Sequence, residues 1–229
     1  MYLLFSDSPI FFPCVWYHAS VGPTRPDRIP LFPLNVVLLP GENLPLHIFE
    51  PRYRRMVREC VEANSPFGML LALPQGVAHV GCSAEILEVT KRYEDGRVDI
   101  LTIGRHPYRV VELFTNDPLL EGTVDYLGDE EFLPNPQNQE KLVGLYEVCY
   151  TLIFSGIPAS LDKSTPERLS FAIASALPLD LMWKQQILEL RSEAERQDRL
   201  QRYLRDWTLH LHNIDTLRHR GEGNGHGLN

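Results

Sequence analysis

Within LPGENLPLHIFEPRYRRMV (Leu39–Val57) an imidazole and a carboxylate stand three residues apart, as His47-x-x-Glu50. Such a pair can hold a metal or relay a proton if both side chains reach one point. An offset of three in a strand sends them to opposite faces, so they meet only if the strand ends between them. The helical signature H-E-x-x-H, which sets two imidazoles on one face, is absent. The spacing therefore favours scaffold, with His47 a part-buried strand residue and Glu50 a helix-start residue. The alternative is a pocket at the strand–helix junction that both line. The other histidines assemble no better. His210 and His212, two apart on an expected helix, face different ways, and His106 stands beside Pro107 in an expected turn.

Nucleophiles and phosphate cradles are equally scarce. Cys14, Cys60, Cys82 and Cys149 are far apart with no C-x-x-C, which suggests reduced thiols and no zinc knuckle. Neither G-x-x-x-x-G-K-[ST] nor G-x-S-x-G occurs, and Ser155-Gly156 reads as a helix end. No catalytic residue, metal or cofactor is assigned, and the chain reads as one that binds. Acidic residues outnumber basic ones 30 to 22, for a net charge of −8. No segment has the basic excess that phosphate binding favours, so nucleic acid is not the expected partner. Arg105 and Arg109 flank an expected turn, as a solvated rim or as a grip for a partner's carboxylate. No apolar run approaches membrane-spanning length, so no membrane association is expected. A cytoplasmic location follows from the thiols.

The elements that must place these residues come in two blocks. Strands are expected at Val36–Leu39, Leu44–Phe49, Phe67–Leu73, Val80–Tyr93, Val98–Ile103, Tyr108–Phe114 and Gly122–Leu127. Glu94-Asp95-Gly96-Arg97 is a hairpin turn, and Gly104 reads as a strand break. One helix intervenes: in PRYRRMVRECVEA, Tyr53, Met56, Val57, Cys60 and Val61 share a face, with Pro51 in the first turn and Arg52, Arg54, Arg55 and Arg58 turned to solvent. After the connector Leu133–Gln139 the pattern is helical. Helices are expected over Glu140–Phe154, from a Ser164–Glu167 capping box to Leu177, from Asp180 to Leu190, and from a Ser192–Glu195 box onward through Leu200, Leu204, Trp207, Leu211 and Ile214. The expected organisation is a poorly ordered leader at 1–28, arising from an upstream start codon; a barrel at 29–132; a helical subdomain at 133–219; and a disordered tail at 220–229.

Several ordered motifs resemble one family. PLFPLNVVLLPGENLPLHIFEPRYRRMV (Pro30–Val57) is similar to the opening of the Lon N-terminal, or substrate-binding, domain. FGMLL (Phe67–Leu71) resembles its second apolar strand block. VGCSAEILEV (Val80–Val89) resembles its V-G-x-x-A-x-I segment, and DGRVDILTIGRHPYRV (Asp95–Val110) its long hairpin. LPLDLMWKQQILEL (Leu177–Leu190) resembles the helical part that follows. The likeness spans roughly residues 29–215. One departure is Pro107, where the family's hairpin commonly runs G-R-x-R-[FY]-R. The resemblance implies an α+β fold: a PUA-like β-barrel with one intervening helix, followed by a C-terminal helical bundle. It further implies a stand-alone, non-catalytic protein- or peptide-binding module without the ATPase and protease parts of Lon, an adaptor in protein quality control. Its partners would be unfolded or tagged protein segments and a protease or chaperone. His47, Glu50, Arg52, Tyr53 and Arg105 are the candidates for touching a partner. The runner-up is an RNA- or small-ligand-binding PUA-like domain, a fold-level analogy that the acidic balance opposes.

Overall fold

The computed structural model describes residues 25–115, 118–158, 161 and 168–223; within 211–223 it describes only the backbone course. Most of the expected leader, the Ser164–Glu167 capping box and the last six residues of the tail lie outside the described residues. Two compact units are present: one runs through Glu130 and takes in Pro178–Arg191, and the other comprises Glu131–Leu177 and the chain from Ser192 onward.

The first unit is a closed barrel. Its strands are β1 (Arg28–Leu34), β2 (Asn43–Ile48), β3 (Phe67–Leu73), β4 (Gly76–Val77), β5 (Val80–Arg92), β6 (Val98–Phe114) and β7 (Glu121–Tyr126). β1 pairs with β7, β7 with β6, β6 with β5, and β5 with β3, all antiparallel; β3 then closes on β1 in parallel. Closure leaves no free edge within the ring. β2 lies outside that ring and, among the described residues, pairs with β6 alone, over Asn43–Ile48 against Val98–Ile103. Ile29, Leu31, Leu70, Tyr108 and Val124 fill the barrel interior, where the Tyr108 hydroxyl donates to the Met69 carbonyl at 3.1 Å.

Three expectations fail in this unit. The first strand is Arg28–Leu34, not Val36–Leu39. Pro30 and Pro33 mask it in the sequence, because proline demotes a strand reading. Val37, Leu38 and Leu39 are buried without being a strand. Their polar links are individual ones: the Leu39 N–H donates to the Glu42 carboxylate at 2.9 Å, and the Glu42 N–H to the Leu39 carbonyl at 3.0 Å. Second, Gly104 does not break β6, which is one strand of 17 residues. The Leu39 backbone crosses directly over Gly104, and any Cβ there would meet its carbonyl. Third, Arg105, His106 and Arg109 therefore lie in mid-strand and not at a turn. Pro107 is accommodated because the β5–β6 register slips between Cys82/Pro107 and Ala84/Gly104, and a bulge tolerates a missing N–H.

The expected intervening helix forms as α1 (Pro51–Ala63), burying Tyr53, Met56, Val57 and Cys60, although Val61 is exposed. The Asp95-Gly96 turn also forms; Gly96 supplies the positive φ of 84°. The helices of the other unit are α2 (Pro136–Phe154), α3 (Leu169–Ala176) and α5 (Glu193–Gly223). α2 begins inside the expected connector because Asn135 caps it, accepting from the Gln137 and Asn138 amides, with Pro136 in the first turn. α4 (Leu181–Glu189) belongs to the barrel unit. Asp180 caps it as the sequence suggests, and Gln185 donates to the Val80 carbonyl of β5 at 3.0 Å.

Candidate functional site at the corner between strand β2 and helix α1

His47 is the penultimate residue of β2, and in the β2–β6 register it stands opposite Asp99. Its Nδ1 lies 2.5 Å from Asp99 Oδ1, and the Tyr93 hydroxyl donates to the other carboxylate oxygen at 2.8 Å. The Tyr93 ring meets the imidazole edge-on, with centroids 5.6 Å apart. Lys91 and Arg97 stand over the same ring at 4.5 and 5.0 Å. His47 and Asp99 are each 22% exposed, so the cluster is open to water.

Desolvation is the largest influence on Asp99 and pushes its carboxyl upward. The hydrogen bonds from His47 and Tyr93, with the charges of His47 and Lys91, together outweigh it, and the carboxyl sits below its ordinary range. The result is a polar rim with an oriented imidazole. Phe49 beside it is 43% exposed, and its ring stacks against His47 at 6.1 Å. Among the described residues no second strand covers the outer edge of β2. An extended peptide recognises such an edge through its backbone, and neighbouring side chains supply the selectivity.

The remaining predicted residues go elsewhere. Glu50 turns to Arg52, whose Nε and Nη2 approach its carboxylate at 2.9 and 2.8 Å. Arg52 also caps the Tyr53 ring at 4.5 Å and donates to the Pro118 carbonyl at 3.3 Å. Tyr53 is buried against Phe32, which leaves little of its ring for a partner. Arg105 pairs across strands with Glu85 at 2.6 Å. It lies six residues along β6 from Asp99, about 20 Å away at strand rise. Sequence reasoning missed Asp99, Tyr93 and Phe49. The Asp95-Gly96 turn fixes Tyr93 and Asp99 on facing arms of one hairpin, so that half of the cluster was legible. The β2–β6 pairing that adds His47 was not.

Among the described residues no group of three or more His, Cys, Asp or Glu side chains is placed to hold a metal. Cys60, Cys82 and Cys149 are buried thiols, and burial pushes the Cys60 thiol up to about 11. No described helix is long and apolar enough to cross a membrane.

A closed PUA-like barrel followed by a C-terminal helical region makes this an α+β fold. The sequence model for the ATP-dependent protease La (LON) substrate-binding domain matches residues 28–206, and the chain belongs to that family. It is 32% identical over 123 residues to protein cereblon of Gallus gallus, covering 51% of this chain and 27% of that protein. It is 31% identical over 112 residues to Lon protease of Parabacteroides distasonis, covering 45% of this chain and 14% of that protein. The chain thus spans well under two thirds of either relative. Among solved structures, the Lon N-terminal domain protein from Xanthomonas campestris superposes with a TM-score of 0.60 at 27% identity, covering 76% of this chain and 96% of that one. The N-terminal domain of the Mycobacterium avium complex Lon protease has a TM-score of 0.56 at 16% identity, covering 79% and 97%, and shares the fold.

Proposed function

We propose that this chain is a non-catalytic recognition module for extended protein segments, which it delivers to a protease or chaperone partner in protein quality control. The observation that carries the reading is the match of a substrate-binding domain family to residues 28–206. The outer edge of β2 fits the task, with Phe49 as an apolar anchor and His47 held by Asp99 as a polar contact. Glu50 and Arg52, which pair with each other where α1 begins, are the polar groups next along the chain, whereas Arg105, about 20 Å along β6, lies outside this site.

Neutral, apolar peptides from a denatured client, arrayed and probed with the purified chain, test the reading. Retention of a subset is expected, weakened severalfold by Phe49→Asp. No retention above background, or retention indifferent to that substitution, would contradict it. A fluorogenic peptide incubated with the chain, with and without ATP, is expected to remain intact; turnover would overturn the non-catalytic part.

A further inference from the structure

The arginines of α1 do not simply point to solvent. Arg54, Arg55 and Arg58 of α1, with Arg92 of β5, line a groove of about 580 Å³ between the helix and the β5–β6 hairpin. Glu62 is the one carboxylate of its lining among the described residues. This concentration of cations occurs in a chain whose net charge is −8. Like charges three and four apart on a helix repel, so an empty groove of this kind costs stability.

The four cations are not equivalent. Arg54 is pinned: its Nη1 donates to the Asp95 carbonyl at 2.7 Å, alongside Gly96, where a Cβ would stand 2.7 Å from that nitrogen. Arg55 lies 3.7 Å from Glu59. The side chains of Arg58 and Arg92 are exposed and make no hydrogen bond or ion pair with any described residue. Between them Val57, Val61, Val89 and Val98 supply an apolar lining. Guanidinium groups grip carboxylates with two parallel hydrogen bonds, and valines accept aliphatic side chains. No aromatic ring lines the groove among the described residues, so there is no platform on which nucleic-acid bases could stack.

From this we infer that the groove between α1 and the β5–β6 hairpin is a second binding site, taking an acidic peptide segment in which Asp or Glu alternates with aliphatic residues. The inference rests on reading the domain as a binder of protein segments, and names a class of segment at a surface separate from the β2 edge. Val98, which lines the groove, and Asp99, which faces His47, are adjacent on β6 and project to opposite faces.

Fluorescence anisotropy of a labelled peptide alternating Glu and Val, against its Lys-for-Glu counterpart, tests it on the full chain. The acidic peptide is expected to bind at least about tenfold more tightly and to weaken as salt rises. Arg58→Glu with Arg92→Glu should cost about tenfold or more. Arg199→Glu with Arg202→Glu on α5, an equal change in net charge, should cost less than about twofold. If the first reversal disturbs folding, Arg58→Gln with Arg92→Gln replaces it, with a loss of about fivefold expected. Equal affinity for the two peptides, equal loss from both reversals, or full affinity in the Gln variant would overturn the proposal. So would preferential binding of an RNA oligonucleotide that competes the peptide off. The neutral peptides of the β2-edge test should be indifferent to Arg58 and Arg92, and the acidic peptide indifferent to Phe49→Asp, so either site can fail alone.

Discussion

Two polar clusters in this chain use the same chemistry to opposite ends. In the helical unit, Glu193 accepts from the Ser170 amide at 3.0 Å, the Ser170 hydroxyl at 2.6 Å, Gln197 at 2.8 Å and Arg196 at 2.9 Å. Arg196 also lies over the Phe171 ring at 4.3 Å, and both members of the ion pair have fully buried side chains. Four bonds to one carboxylate leave it no need of an outside partner. At the barrel corner the His47–Asp99–Tyr93 cluster is part-exposed, beside a half-exposed phenylalanine and a strand edge that no other described strand covers. A saturated, fully buried network fixes how helices pack, whereas a part-exposed one is shielded from solvent only in part.

The comparison breaks most clearly at Arg196. Arg196→Ala leaves the Glu193 carboxylate buried without its counter-charge, and should cost about 3–5 kcal/mol. Urea unfolding followed by helical circular dichroism checks this; a loss below 1 kcal/mol would mean that water reaches the network. Its pH dependence sharpens the point. Burial is the largest influence on Glu193 and raises its carboxyl above the ordinary 4.5; Arg196 and the hydrogen bonds from Ser170 and Gln197 pull it back only in part. The folded state therefore holds this proton more tightly than the unfolded chain. The group's contribution to stability falls as pH climbs from the ordinary value through the raised one. Without Arg196 that window should widen upward.

In the barrel the intolerance is steric. Gly104→Ala places a methyl group against the Leu39 carbonyl, where backbone and not a flexible side chain must yield. A cost of about 1–3 kcal/mol is expected from such overpacking. Thermal melting should show it, with the helical unit's response to Arg196→Ala unchanged. An unaltered melting temperature would show that the Val37–Leu39 segment can lift away.

Local signals carried much of this fold. The 3.6-residue periodicity of PRYRRMVRECVEA, the Asp95-Gly96 turn and the Asp180 cap each depend on neighbours within a few residues, and each forms where the sequence places it. Errors arose where long-range packing decides. Pro30 and Pro33 hide β1, whose strand character comes from partners at residues 68–71 and 121–123. Gly104 resembles a terminator locally and is a crossing point in three dimensions. The candidate site follows the same division: His47 was visible as a chemical group, while its partner Asp99 lies 52 residues away. Likewise, no periodicity could show that arginines on α1 face an arginine on β5 across a groove.

The smallest expected effect tests the open cluster itself. His47→Ala removes one donor to Asp99 but leaves the Tyr93 hydroxyl in place. Because the cluster is part-exposed and Asp99 keeps a second donor, the stability loss at neutral pH should stay under about 1 kcal/mol. Its signature lies in acid. A carboxyl held below the ordinary 3.8 contributes stability that is fully present above that value and is lost as pH falls through the lowered one. With His47 gone the Asp99 carboxyl should titrate higher, and the acid limb of the stability profile should move upward with it. Carboxyl chemical shifts followed by NMR through the acid range read this directly. An unmoved Asp99 would mean that Tyr93 and the nearby cations hold the carboxylate unaided, and that the imidazole is available to a bound segment without disturbing the barrel.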